Sequence, residues 1–230
     1  MKTDLFSRLF LIVLLTCATI SCQQIPTDDV QSADEDVTNL KVDVRSAGEA
    51  EIVYPLYLYA FDEEGKLAAS QTLANAEEEM SLPLGKGDFQ VVAVAGASSD
   101  YQLPENPDLD DVITLTNLKG AGIPMMMGRA NVKITGTSKS TAKLTLSYVV
   151  AALNVKLKDV PENVTTVQLS LSPLYSTLSM GGTYGGSSQK VKVDCTMSAE
   201  GIWSAQTSYI FPGSGSETDF SIYFKTDDGT

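Results

Sequence analysis

Between residues 40 and 225, apolar side chains recur at every second position in short runs, and turn-forming residues separate the runs. A period of two puts one apolar row on a single face of an extended strand, whereas a helix needs a period of 3.6. Leu40, Val42 and Val44 alternate with Lys41, Asp43 and Arg45. From Ile52 to Phe61 the run predicts a strand with Leu56, Leu58 and Ala60 on one face and Tyr57, Tyr59 and Phe61 on the other. Asp62-Glu63-Glu64-Gly65 then reads as a hairpin turn in which glycine supplies positive φ. Pro55 lacks an amide donor, so that end of the strand is expected at an edge or a strand start.

Further strands are expected near 66–73 and 80–84, the latter ending at the turn Gly85-Lys86-Gly87. Phe89 to Ala95 is apolar on both faces, the pattern of a strand buried between two layers. Asn106-Pro107-Asp108 has the cap, first-turn proline and acid of a helix start, but the β-branched Val112-Ile113-Thr114 keeps any such helix short. Strands resume at 125–127, 130–134 and 142–147, followed by one long strand over 148–158. Residues 164–171, 190–197, 202–210 and 220–225 complete the set, with the glycine-rich 181–186 as a flexible loop. The expectation is an all-β chain of two tandem β-sandwich domains with at most one or two short helices. The domains are placed at 39–148 and 149–230. Asp227-Asp228-Gly229-Thr230 is a hairpin-turn signal with no returning strand after it. Either the chain stops short there, leaving the second domain truncated, or its last strand lacks its natural partner; the exposed strand edge is expected to be prone to aggregation.

The first residues follow different rules. Met1-Lys2 and Arg8 precede the apolar run Leu9 to Leu15, which is too short to span a bilayer and has the form of an export signal. Thr19-Ile20-Ser21-Cys22 resembles a lipobox, although Thr19 stands where leucine is usual. Residues 1–21 are thus read as a lipoprotein signal peptide and Cys22 as the acylated N-terminus. Cys17 is a weaker candidate because Thr16 before it is bulky. Two or more acyl chains make anchoring stable, since each buried methylene contributes about 0.8 kcal/mol. Residues 22–38 carry Asp28, Asp29, Asp34, Glu35 and Asp36 with few apolar neighbours, and read as an acidic flexible tether.

Composition narrows the function. The formal charge of −13 disfavours nucleic acid and anionic headgroups as partners. With Cys22 acylated and Cys17 removed, Cys195 alone remains, so an internal disulfide is excluded. The sequence has no histidine, which removes the commonest general base and zinc ligand and every Ser-His or Cys-His pair. Glu77-Glu78-Glu79, Asp108 with Asp110 and Asp111, and Asp227-Asp228 are acid clusters, but none has the spacing of a calcium loop. No catalytic residue, metal site or cofactor is expected. Trp203 and Tyr184 are the aromatics that could stack on sugar rings, although Trp203 also suits a core position.

Five segments taken together resemble the fimbrillin family of type V pili. They are Leu56 to Leu67, Leu84 to Ala95, Pro124 to Gly128, Tyr148 to Val155, and Leu171 to Tyr175 before the glycine-rich loop. The order and spacing of all five carry the resemblance, which covers about 40–225 and looks most like the minor, anchor-type subunits. It implies transthyretin-like, Greek-key sandwiches on a lipid anchor at the surface of the outer membrane, and association with other fimbrial subunits through strand exchange. In polymerising subunits a trypsin-like protease cuts after an arginine and frees a groove that the next subunit's strand fills; anchor subunits stay uncut. Arg45 followed by Ser46-Ala47-Gly48 stands where such a cut would fall, and the small residues are expected to make it accessible. The alternative function is a stand-alone surface lipoprotein that binds a glycan or host protein.

Overall fold

The computed structural model describes residues 38–136, 140–215 and 217–227. The export signal, Cys22 and the acidic tether lie outside the described residues. Eighteen strands and no helix are present among the described residues. They are β1 (Thr38–Ser46), β2 (Leu56–Phe61), β3 (Leu67–Leu73), β4 (Ser81–Leu84), β5 (Gly87–Ala95), β6 (Tyr101–Gln102), β7 (Val112–Leu115), β8 (Met126–Ile134) and β9 (Thr141–Tyr148). After these come β10 (Ala151–Leu153), β11 (Lys156–Leu157), β12 (Val164–Leu174), β13 (Thr177–Ser179), β14 (Tyr184–Gly185), β15 (Gln189–Met197), β16 (Trp203–Ser204), β17 (Ser208–Ile210) and β18 (Asp219–Thr226).

The largest sheet has seven strands in the order β3-β2-β5-β8-β9-β1-β4. Its two edges approach each other: the Ser81 amide donates to Gln71 Oε1 (3.0 Å), and Gln71 Nε2 donates to the Glu79 carbonyl (2.9 Å). The sheet thus curls around a core of Leu40, Leu56, Leu58, Leu82, Val91, Ala93, Leu144 and Leu146. Its other face carries Tyr59, Phe61, Val92, Val94 and Met127, which pack with Ile113, Leu115, Leu178 and Phe211. β5 lies between these two cores, and Val91 to Ala95 are fully buried, as the two-faced apolar pattern requires.

The second core is covered by a four-stranded sheet in the order β14-β13-β7-β6. Residues from both sides of position 148 build it, with Thr177 opposite Thr114 and Leu178 opposite Ile113. A five-stranded sheet, β11-β16-β15-β12-β18, and the pair β10-β17 account for the remaining strands. Val155, Val167, Leu169, Cys195 and Trp203 form a third core, and Leu174, Val191, Val193 and Ile210 a fourth.

Three segments differ from the sequence expectation for identifiable reasons. Residues 148–158 form two short strands, β10 and β11, and residues 202–210 form β16 and β17. The two interruptions face each other: Thr207 Oγ1 donates to Asn154 Oδ1 (2.5 Å) and the Ala205 amide donates to the Val155 carbonyl (3.4 Å). Residues 106–111 make turns in place of a helix. There the Asp111 carboxylate accepts the Asp108 amide (2.8 Å), the Leu109 amide reaches the Gly65 carbonyl, and Lys66 pairs with Asp108. These contacts to the β2–β3 hairpin outweigh the local helix-start signals, and the β-branched residues that follow become β7.

Candidate functional site: the N-terminal strand and its seat

β1 is held in the seat between β9 and β4. It runs parallel to β9, with Lys41 opposite Thr141 and Ser46 opposite Leu146. It runs antiparallel to β4, with Thr38 opposite Leu84 and Lys41 opposite Ser81. Backbone bonds extend the seat at both ends. The Lys41 amide donates to the Ser140 carbonyl (3.0 Å), Val42 to Met80 (2.9 Å) and Ala47 to Leu146 (2.7 Å). Leu40 and Val42 are buried and Val44 is partly so, whereas Lys41, Asp43 and Arg45 face solvent. A slip of one residue would drive those three charges into the core, so this register is strongly specified.

Arg45 and Ser46 are the last two residues of β1, so the peptide bond between them lies inside the parallel ladder. Arg45 Nε donates to Thr145 Oγ1 at 3.1 Å. The small residues Ala47 and Gly48 come just after the strand, and Gly48 takes a φ of +72° with open space around it. A protease needs its target as an unpaired extended segment, so cutting after Arg45 requires the end of β1 to leave β9 first.

The opposite terminus is less enclosed. β18 pairs with β12 along its length, from Ser172 opposite Asp219 to Val164 opposite Thr226. On its outer side no strand pairs with it among the described residues. Phe220 and Phe224 lie on the same face as Ile222, which packs on the third core, yet they are 50% and 47% exposed.

The other sequence candidates occupy structural positions. Trp203 is buried in the third core. The Tyr184 ring stacks on Tyr175 and meets the edge of Phe211, and its hydroxyl donates to the Val149 carbonyl (2.9 Å). Burial raises the pKa of that hydroxyl above the ordinary phenol value. Trp203 is thus a core residue, whereas Tyr184 is only partly buried. Glu78 accepts from the Ala74 amide (2.9 Å) and so serves its own turn. Asp100 accepts from the Gly122 amide (2.9 Å), Asn117 (2.8 Å) and Ser98 (3.3 Å). The Gly122 bond above all holds its carboxyl below the usual carboxylate range, against the opposing effect of burial. Cys195 is buried in β15, and burial followed by the neighbouring Asp194 charge pushes its thiol up. No group of histidine, cysteine or acidic residues is arranged to hold a metal ion among the described residues.

Sequence reasoning missed one feature. A recess of about 570 Å³ lies against β8 and β9, lined by Gln90, Arg129, Asn131, Thr145, Ser147 and Tyr184 among others. Arg129 closes one side by donating to the Gly181 carbonyl and lying over Gly182, where a Cβ would collide with the guanidinium. The glycine-rich loop is thereby braced against β8. Glycines at 181 and 182 were a signal that something approaches the backbone there, but nothing in the sequence points to Arg129 as the partner.

Residues 31–230 match a family profile described as fimbrillin-A associated anchor proteins Mfa1 and Mfa2. Among solved structures, the fimbrial anchor protein Mfa2 from Porphyromonas gingivalis is similar at 16% identity and a TM-score of 0.64, over 81% of this chain and 77% of that one. A provisionally assigned adhesin from Bacteroides ovatus is similar at 14% identity and a TM-score of 0.65, over 84% of this chain and 73% of that one. A provisionally assigned polysaccharide-binding protein from Bacteroides thetaiotaomicron shares 16% identity with a TM-score of 0.63, over 83% and 77%. No curated protein matches the sequence. The structural likenesses establish a shared fold, and the profile spans most of the sequence: the chain belongs to the family of fimbrillin-A associated anchor proteins.

Proposed function

We propose that this protein is a lipid-anchored minor or anchor subunit of a cell-surface fimbria. In this reading Cys22 is acylated and holds the protein to the outer membrane. Residues 22–38 are the tether, and the sandwiches of 39–148 and 149–230 follow, joined by the sheet in which β7 pairs with β13. Other fimbrial subunits join it by β-strand addition, in which backbone hydrogen bonds supply affinity and alternating side chains supply register.

The observation that carries the reading is the seating of β1. A subunit that must surrender its first strand needs that strand easily detached, and its cut site reachable. Here β1 pairs with β4 over Thr38–Lys41 and with β9 over Lys41–Ser46, contributes Leu40 and Val42 to the core, and holds the Arg45–Ser46 bond in the ladder to β9. That arrangement suits a subunit which keeps its first strand, and with it the lipid. Membership of the anchor family supports the same role.

Mass spectrometry of the N-terminus of protein recovered from intact cells tests it. The expected N-terminus is an acylated Cys22, and Cys22→Ser should release the protein from the membrane. A surface-exposed form that begins at Ser46 would overturn the anchor reading and make the protein a polymerising subunit.

A further inference from the structure

We propose that β1 is a force-bearing clamp, seated so that tension on the tether loads its hydrogen-bond ladders in shear. The source of the tension rests on the anchor reading above; the mechanics rest on the register alone. Because β1 and β9 are parallel, their N-terminal ends lie at the same end of the sheet, where Lys41 faces Thr141. The chain after β9 leaves from the other end, beyond Tyr148. A pull on Thr38 toward the membrane, and an opposite pull on the chain after Tyr148, therefore act along the strands in opposing directions.

Under that load the bonds from β1 to β9 share the tension and fail together. A pull across the strands at the Ser46 end would instead break them one after another. The ladder to β4 holds the first half of β1, from Thr38 to Lys41, where the tension enters, and the ladder to β9 takes over from Lys41 to Ser46. The side chains resist sliding as well. A shift of one position would bury Lys41 and Asp43, and a shift of two keeps the same face inward but moves Leu40 out of its buried place. On the outer face, the Arg45–Thr145 hydrogen bond holds the same register.

Single-molecule force spectroscopy on the full chain tests this with two handle geometries. Asn39 and Ser147 are exposed and sit at opposite ends of the β1–β9 pair, so handles there load the ladder in shear. Handles at Ala47 and Ser147 sit at one end and open the ladder stepwise. The rupture force is expected to be at least about threefold higher in the first geometry at equal loading rate, because forced unfolding follows the unfolding barrier. Both geometries use the same folded protein, so impaired folding cannot imitate the result. Equal forces would overturn the clamp whatever the state of Cys22. An N-terminus at Ser46 on cells would overturn the anchor reading while leaving the force comparison intact.

Discussion

β1 and β18 are both short alternating strands near the ends of the chain, and the fold treats them in opposite ways. β1 sits inside its sheet with apolar residues inward, charges outward and a partner on each side. β18 lies at the end of its sheet, with Phe220, Tyr223 and Phe224 about half exposed. Alternation makes each of them a strand, but a strand's contribution depends on how many sides of it are covered. The same apolar side chain should therefore matter much more in β1 than in β18.

The largest expected effect comes from the enclosed strand. Leu40→Ala should cost about 3 kcal/mol in urea denaturation, because a fully buried side chain leaves a cavity beneath two neighbouring strands. Phe224→Ala should cost about 1 kcal/mol or less, since half its surface already meets water. Equal costs would break the comparison. Next comes Gly128→Ala beside the β1 seat, where a Cβ would lie 2.8 Å from the Thr145 carbonyl oxygen. Overpacking against β9 backbone should cost about 2 kcal/mol and lower the melting temperature.

A smaller effect should appear with pH. Burial, and then the neighbouring Tyr57, push the Tyr59 phenol up to about 12 from 10.0. The unfolded chain ionises first, so this contribution to stability is present below pH 10 and is lost as pH rises toward 12. Tyr59→Phe should flatten that alkaline decline in pH-dependent melts. The smallest change in stability is expected for Phe224→Lys at the open side of β18, within about 0.5 kcal/mol. Its readout is different: concentration-dependent self-association measured by sedimentation should fall, because a charge on an edge strand opposes pairing with another chain.

The comparison also shows what the sequence could reveal. Period-two runs located β1, β9 and β15 within a residue or a few, because each has a buried row that alternates with exposed residues; β12 and β18 lie close to their expected places without a strictly alternating buried row. The two-faced run at 89–95 correctly signalled a strand between two cores. The break at Asn154 was illegible because the run before it is apolar enough to continue, and the one at 205–207, although Gln206, Thr207 and Ser208 are polar, is fixed by contacts to the facing segment. The turn at 106–111 was illegible for a related reason: its partners, Gly65 and Lys66, lie some 40 residues earlier. At the candidate site, Arg45 stood out in the sequence, but not its pairing with a strand 100 residues downstream. Small residues after an arginine suggested accessibility, and the strand ends only after the bond in question.

That separation of 100 residues sets an order of events. If the N-terminus crosses the membrane first, β1 emerges long before residues 141–148 exist outside to receive it. Its apolar row and backbone groups must wait, solvated or guarded, while β2 to β8 form hairpins around the vacant place. Docking β1 is then a late, long-range closure, the kind of contact that slows folding. Until that closure the growing sheet displays an open slot beside β9. The timing of that closure, as well as the final contacts, sets how long the edge of β9 stays unpaired.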